Sequence, residues 1–128
     1  MAKYLALFGF TGDTVRRFVA NPSDRALVTR RLMESVGGSL ECYYWMLGQY
    51  DGMAIVEMPD SRTSAAAILA IVSSAAFTHF ETHELLAAND LPAIADAARQ
   101  IVYKPPGAIR ADRSEDSILS EDPRRPPG

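Results

Sequence analysis

The side chains with the most chemistry to offer stand close together: His79, Glu81 and His83, within the run Phe77-Thr78-His79-Phe80-Glu81-Thr82-His83-Glu84. Their spacing of two, read as a β-strand, puts Phe77, His79, Glu81 and His83 on one face. A carboxylate beside an imidazole favours the protonated ring and brings proton exchange within reach of neutral pH. Acid–base work by His83 first and His79 second, with Glu81 between them, is the catalysis these residue types support. A metal site is poorly served. Each two-residue step along a strand is about 6.8 Å, so the histidines start about 13 Å apart. Zinc–nitrogen bonds of about 2.1 Å need donors only a few Å from one another. No metal ligand is assigned. A structural role accounts for the same residues equally well, because a strand-end histidine that hydrogen-bonds across a subunit interface belongs to the same kind of charged cluster.

The same alternation in residues 39–47 groups Glu41, Tyr43 and Trp45, a set suited to ligand binding: Tyr43 as a hydrogen-bond donor to a substrate oxygen, Trp45 as a surface for a ring. In residues 53–58, Glu57 shares a face with Met53 and Ile55. Thr78, Phe80, Thr82, Cys42, Tyr44, Met46, Ala54 and Val56 are then expected to turn toward the helices, leaving the titratable set on the uncovered face, where a second subunit would enclose it as a pocket. Tyr50 and Asp51 have two readings. They are ligand-binding candidates, but Asp51-Gly52 is also what a tight hairpin asks for, since both residues accept positive φ, and Tyr50 has the size to pack on a neighbouring subunit.

These residues need a scaffold. Residues 3–10 are apolar or aromatic on both alternating faces, as a strand covered on both sides would be. Thr11 or Asp13 caps a short helix to about Ala20, Asn21-Pro22 ends it, and Ser23 caps a second helix with Val28, Leu32, Met33 and Val36 on one face before Gly37-Gly38. Residues 39–47 and 53–58 are strands joined as an antiparallel hairpin. Asp60 caps an alanine-rich helix to about Ser74, and residues 77–84 are the fourth strand. Asn89 or Asp90 caps a last helix with Leu91, Ile94, Ala95, Ala98 and Ile101 aligned, expected to dock on the domain. The order βαββαβ predicts an α+β, ferredoxin-like fold: a four-stranded antiparallel sheet with helices on one face. One domain is expected over 1–103. From Lys104 the composition shifts to Pro105, Pro106, Pro123, Pro126 and Pro127 with mixed charges and few apolar residues, so 104–128 reads as a disordered tail.

Length and composition narrow the function classes. With 128 residues, 48% hydrophobic and 23% charged, there is material for one modest core, and a bare sheet face would be covered by another copy, so the chain itself is the expected partner. A net charge of −3 gives no overall attraction for nucleic acid or anionic lipid. Arg16, Arg17, Arg25, Arg30 and Arg31 outnumber Asp13, Asp24 and Glu34 locally, which reads as a solvated helix face. The longest apolar run, 65–72, is too short to span a bilayer, which needs about 20 residues. Cys42 stands alone, which excludes an intrachain disulfide and fits a reducing, cytoplasmic compartment; in an aromatic strand it reads as a small buried hydrophobe. No phosphate loop, nucleophile elbow or cofactor fingerprint is present, so no cofactor is expected.

Tyr4, Leu7 and Thr11, then Gly48-Gln49-Tyr50-Asp51, then Glu81-Thr82-His83 followed by Leu85-Leu86, together resemble the GYD-domain family over roughly residues 2–100. The resemblance implies a dimeric α/β-barrel of the ferredoxin-like group and a homo-oligomer. Relatives within that group include cofactor-free monooxygenases, haem enzymes, isomerases and plain binding modules. Three functions are in view: a barrel enclosing a small apolar or aromatic ligand with cofactor-independent chemistry; a non-enzymatic regulatory or structural module; and, third in rank, a metal-binding protein in which a pair from His79, Glu81 and His83 is joined by residues from elsewhere. The chain departs from the family pattern at Glu84, where proline is usual.

Overall fold

Every strand-forming run in the sequence joins one sheet. A computed structural model describes residues 1–107; the tail expected from Lys104 lies, from residue 108 onward, outside the described residues. The elements are β1 (Ala2–Phe10), α1 (Gly12–Ala20), α2 (Arg25–Ser35), β2 (Ser39–Trp45), β3 (Gly52–Met58), α3 (Ser61–Val72) and β4 (Phe77–Leu85). The strand order is β2-β3-β1-β4 with every neighbouring pair antiparallel. This is the α+β, ferredoxin-like arrangement expected from the element order. No helix among the described residues is long and apolar enough to cross a membrane.

Local chemistry explains the boundaries. The Thr11 hydroxyl accepts the Thr14 N–H at 3.2 Å and opens α1. Asp24, one residue later than the Ser23 expected, caps α2 by accepting the Leu27 N–H at 3.1 Å. Asp60 caps α3 through the Thr63 N–H at 2.7 Å, and that bond holds its carboxyl below the usual range. Gly37, at φ +84°, ends α2 in the left-handed region that glycine adopts without steric cost.

Two irregularities decide which face each side chain takes. The pairing of β2 with β3 shifts register between Leu40 and Cys42, a bulge that keeps Glu41 and Cys42 on the same side. Past it, Tyr43 pairs with Ala54, and Tyr44 with Met53. Tyr43 and Trp45 therefore face the helices, whereas Cys42 and Tyr44 face outward, the reverse of the simple alternation. Along β4 a second shift pairs Phe10 with Phe77 but Gly9 with His79. Phe77 accordingly packs in the core beside Phe8 and Phe10, while His79, Glu81 and His83 stay on the outer face.

Buried apolar residues form two clusters between sheet and helices: Ala6, Phe8, Phe10 and Ala54 in one, Met33, Met58 and Ala67 in the other. Phe8 is the hub of the first, its ring 5.5–5.8 Å from Phe10, Tyr43, Phe77 and Phe80, at separations where edge and offset contacts are favourable.

A second compact unit begins at Ala88. Within it a 3-10 turn (Ala88–Asp90) leads into α4 (Leu91–Arg99), which has Pro92 in its first turn; Asp90 occupies the capping position without making the side-chain bond expected of it. Asp96 and Arg99 pair one turn apart on its surface.

Candidate functional site

The outer face of the sheet carries the chemistry first suggested by the sequence. Tyr50 sits in the β2–β3 connection, and its ring lies 5.2 Å from that of His79. It reaches there across Gly9: a Cβ at Gly9 would stand 2.4 Å from His79 Cε1 and 2.9 Å from Thr78 Oγ1. Thr78 Oγ1 and His79 Nδ1 are 3.0 Å apart, and His83 Nε2 lies 3.4 Å from Glu81 Oε2. The Tyr50 phenol and the Glu81 carboxylate complete the group. Their hydrogen bonding raises the Tyr50 pKa, and the same contact, aided by His83, lowers that of Glu81. His79, Glu81 and His83 are all exposed in the single chain.

The motif residues around Tyr50 have separate structural duties. Gly48 turns the chain at φ +141°. Asp51 Oδ2 accepts the Phe10 N–H at 2.8 Å, its own N–H donates to the Phe8 carbonyl at 2.9 Å, and its carbonyl accepts the Met46 N–H at 2.9 Å. Gly52 is not at positive φ, contrary to the Asp-Gly turn expected; it is a strand residue, and a Cβ there would stand 2.5 Å from Phe8 Cε2. The requirement at Gly52 is room for the Phe8 ring.

Farther along the outer face, Lys3 Nζ lies 3.0 Å from Glu41 Oε2 and 4.0 Å from Glu57 Oε1, and the bond to Glu41 raises the Lys3 pKa. Between these charges and the histidines run Leu5 and Leu7, each aligned with β3 and β4 partners: Leu5 with Ile55 and His83, Leu7 with Met53 and Glu81. Among the described residues no group of three or more His, Cys, Asp or Glu side chains is gathered so as to hold a metal ion.

A cavity of about 420 Å³ lies on the opposite side, between sheet and helices. Phe8, Phe10, Tyr43, Ala54, Phe77 and Phe80 line its sheet side, and Phe18, Leu32, Met33, Ala67 and Ile71 its helix side. That volume is in the range of small-molecule sites, roughly 300–1,000 Å³. Burial pushes the Tyr43 phenol up to about 12, against a smaller opposing effect from Arg25, so near neutral pH it is a hydrogen-bond donor and not a base. Tyr43 and Trp45 belong to this side, separated by the sheet from His79, Glu81 and His83. The residue-level reading did not anticipate Arg17 and Arg25, which also line the cavity. The excess of arginine over acid around the first two helices was their only trace in the sequence.

Among curated proteins nothing matches this chain at a significant level. The solved structures include FFRP-DM1, which aligns over 67% of this chain and 100% of its own length at 15% identity, with a TM-score of 0.45. The GYD domain model matches residues 4–95, a span holding the turn at Gly48, the Tyr50 ring against His79 and the Asp51 clasp on Phe10, and the chain belongs to the GYD-domain family.

Proposed function

We propose that this is a cytoplasmic small-molecule-binding protein that holds an apolar or aromatic ligand between its sheet and its helices and assembles with copies of itself through the outer sheet face. The observation that carries the binding reading is the aromatic-lined cavity of about 420 Å³. α1 has no buried residue, and α2 has Met33 alone, so the helices cover the sheet without filling the space above it. A ligand there would supply the missing packing and stabilise the fold by mass action.

The cavity also limits the chemistry. Its one strongly perturbed titratable wall group is Tyr43, and the histidines stand across the sheet. Cofactor-independent turnover by His79, Glu81 and His83 would therefore act on a substrate bound at the outer face, not in this cavity.

A second observation favours assembly. β1 is apolar on both faces, yet the helices cover only the face of Ala6, Phe8 and Phe10, leaving Leu5 and Leu7 half-buried. In this reading Tyr50, His79, Glu81 and His83 rim an interface between copies, the role that suits exposed, mutually bonded polar groups.

The binding test uses benzyl alcohol as a neutral probe. A concentration-dependent rise in Tm, together with shifts in the Phe8 and Tyr43 ring resonances, is expected. Ala54→Phe fills the cavity from the sheet and Ala67→Leu from a helix; whichever variant folds should lose the response. No response of the wild type up to probe saturation ends the binding reading.

A further inference from the structure

We infer that the cavity selects an aromatic carboxylate, held by Arg17 and Arg25 with its ring among the phenylalanines. This deepens the binding reading above and rests on it.

The cavity wall is charged in one sign only. Arg17 and Arg25 are its ionised side chains, with no Asp or Glu among the lining residues, although the chain as a whole carries −3. Neither guanidinium is paired with a carboxylate among the described residues, whereas the neighbouring Arg16 is bonded to Asp13 at 3.1 Å. Both lie by Phe18, Arg17 preceding it in α1 and Arg25 with its guanidinium carbon 5.6 Å from the ring centroid, a cation–π position that holds the charge at the aromatic wall. Phe18 in turn meets Phe10 and Trp45 at 5.0 and 5.7 Å, and Trp45 meets Tyr43 at 6.0 Å.

The other lining hydroxyls are mostly engaged. Thr14 bonds Thr11, Thr29 bonds the Arg25 carbonyl, Ser64 the Asp60 carbonyl and Ser74 the Ile71 carbonyl. The Tyr43 hydroxyl makes no hydrogen bond among the described residues. The Tyr4 and Thr82 hydroxyls of the lining are likewise unbonded among the described residues, and all three hydroxyls can donate or accept, whereas the two guanidinium groups at the aromatic end only donate. Such a pair suits an anion with oxygen acceptors, and the planar fork of arginine matches a carboxylate in particular. Arg17 is exposed and Arg25 partly so, which places the charged groups where solvent reaches them, beside the aromatic wall that Phe18 and Phe10 share. At about 30 Å³ per water-sized volume, the cavity takes a molecule on the order of a dozen non-hydrogen atoms: one ring and a short acidic chain.

The test compares three probes of one shape, 4-phenylbutyrate, 4-phenylbutanol and 4-phenylbutylamine, by calorimetric titration at low salt. The acid is expected to bind at least about tenfold more tightly than the alcohol, a difference a charge-assisted bidentate contact supplies, and the amine weakest. In the Arg17→Gln/Arg25→Gln double variant the preference for the acid should fall below about twofold while alcohol binding is retained; both positions reach solvent, and Tm serves as the folding control. Equal or weaker binding of the acid in the wild type, or a preference that survives in the double variant, overturns the carboxylate assignment while leaving the cavity reading intact. Failure of all three probes to bind overturns both.

Discussion

The Asp51 carboxylate and the Phe10 backbone N–H are joined by a 2.8 Å hydrogen bond across 41 residues of sequence. β3 begins at Gly52, opposite Phe8, so β1 runs two residues beyond its partner's end. Asp51 extends the ladder with a side chain where no backbone carbonyl is available. Buried or half-buried N–H groups need such partners. Asp51→Ala is expected to lower stability by about 1–3 kcal/mol, the cost of a partly buried donor left unmatched, and Asp51→Asn to retain part of it because the amide oxygen still accepts. Urea unfolding of the three proteins checks this; equal stabilities would show that water serves Phe10 as well.

Gly52 and Gly9 should respond differently to alanine. At Gly52 the added carbon meets the Phe8 ring at 2.5 Å and the Tyr44 carbonyl at 3.3 Å, and Phe8 is fixed by four neighbouring rings. A loss of about 1–3 kcal/mol is expected from overpacking. At Gly9 the obstacles are the exposed ends of His79 and Thr78, which can swing outward, so the cost should be about 1 kcal/mol or less. The Gly9 variant should instead lose the Tyr50–His79 ring contact, visible as a change in the His79 ring resonances.

Burial of the Tyr43 phenol makes stability depend on pH in the alkaline range. A phenol whose folded pKa, about 12, exceeds its unfolded value of about 10 contributes stability fully below the unfolded value. That contribution is lost as pH rises through the folded one. Wild-type stability should therefore decline between about pH 10 and 12, with a shallower decline in Tyr43→Phe. Denaturant unfolding across this window is the measurement, and identical slopes would contradict the buried setting of Tyr43.

Replacing Leu5 and Ile55, which face outward in register on β1 and β3, by aspartate should convert the assembled protein to monomer with its circular dichroism spectrum retained. Sedimentation velocity reads the outcome. A wild type that is already monomeric would remove the interface role of His79 and His83 along with the assembly itself.

The order of elements was legible in the sequence because it rests on local physics. Asp60 and Thr11 announce helix starts through short-range hydrogen bonds, and the aromatic alternation of residues 3–10 marks a strand whatever lies beside it. Gly48, Tyr50 and Asp51 stood out through the resemblance to the GYD-domain family, and Asp51 also through the turn chemistry of Asp51-Gly52. What each does required the fold: Asp51 finds Phe10, and Tyr50 finds His79, only when β1 lies between the hairpin and β4.

Which face a side chain takes was decided by tertiary structure. Strict alternation carries no information about bulges, and the shifts at Glu41–Cys42 and Thr78–His79 arise in pairing between distant strands. One extra residue in β2 moved Tyr43 and Trp45 from the side of the histidines to the side of the helices. The cavity is the gap between sheet and helices, and no residue's type encodes a gap. Arg17 and Arg25 looked like any solvated arginines until α1 and α2 were set over Phe10 and Tyr43. Local chemistry written in the chain set the order of elements, the caps at Thr11 and Asp60 and the antiparallel pairing; the packing of those elements set where the cavity lies, because an enclosed volume exists only between surfaces that the chain brings together from afar.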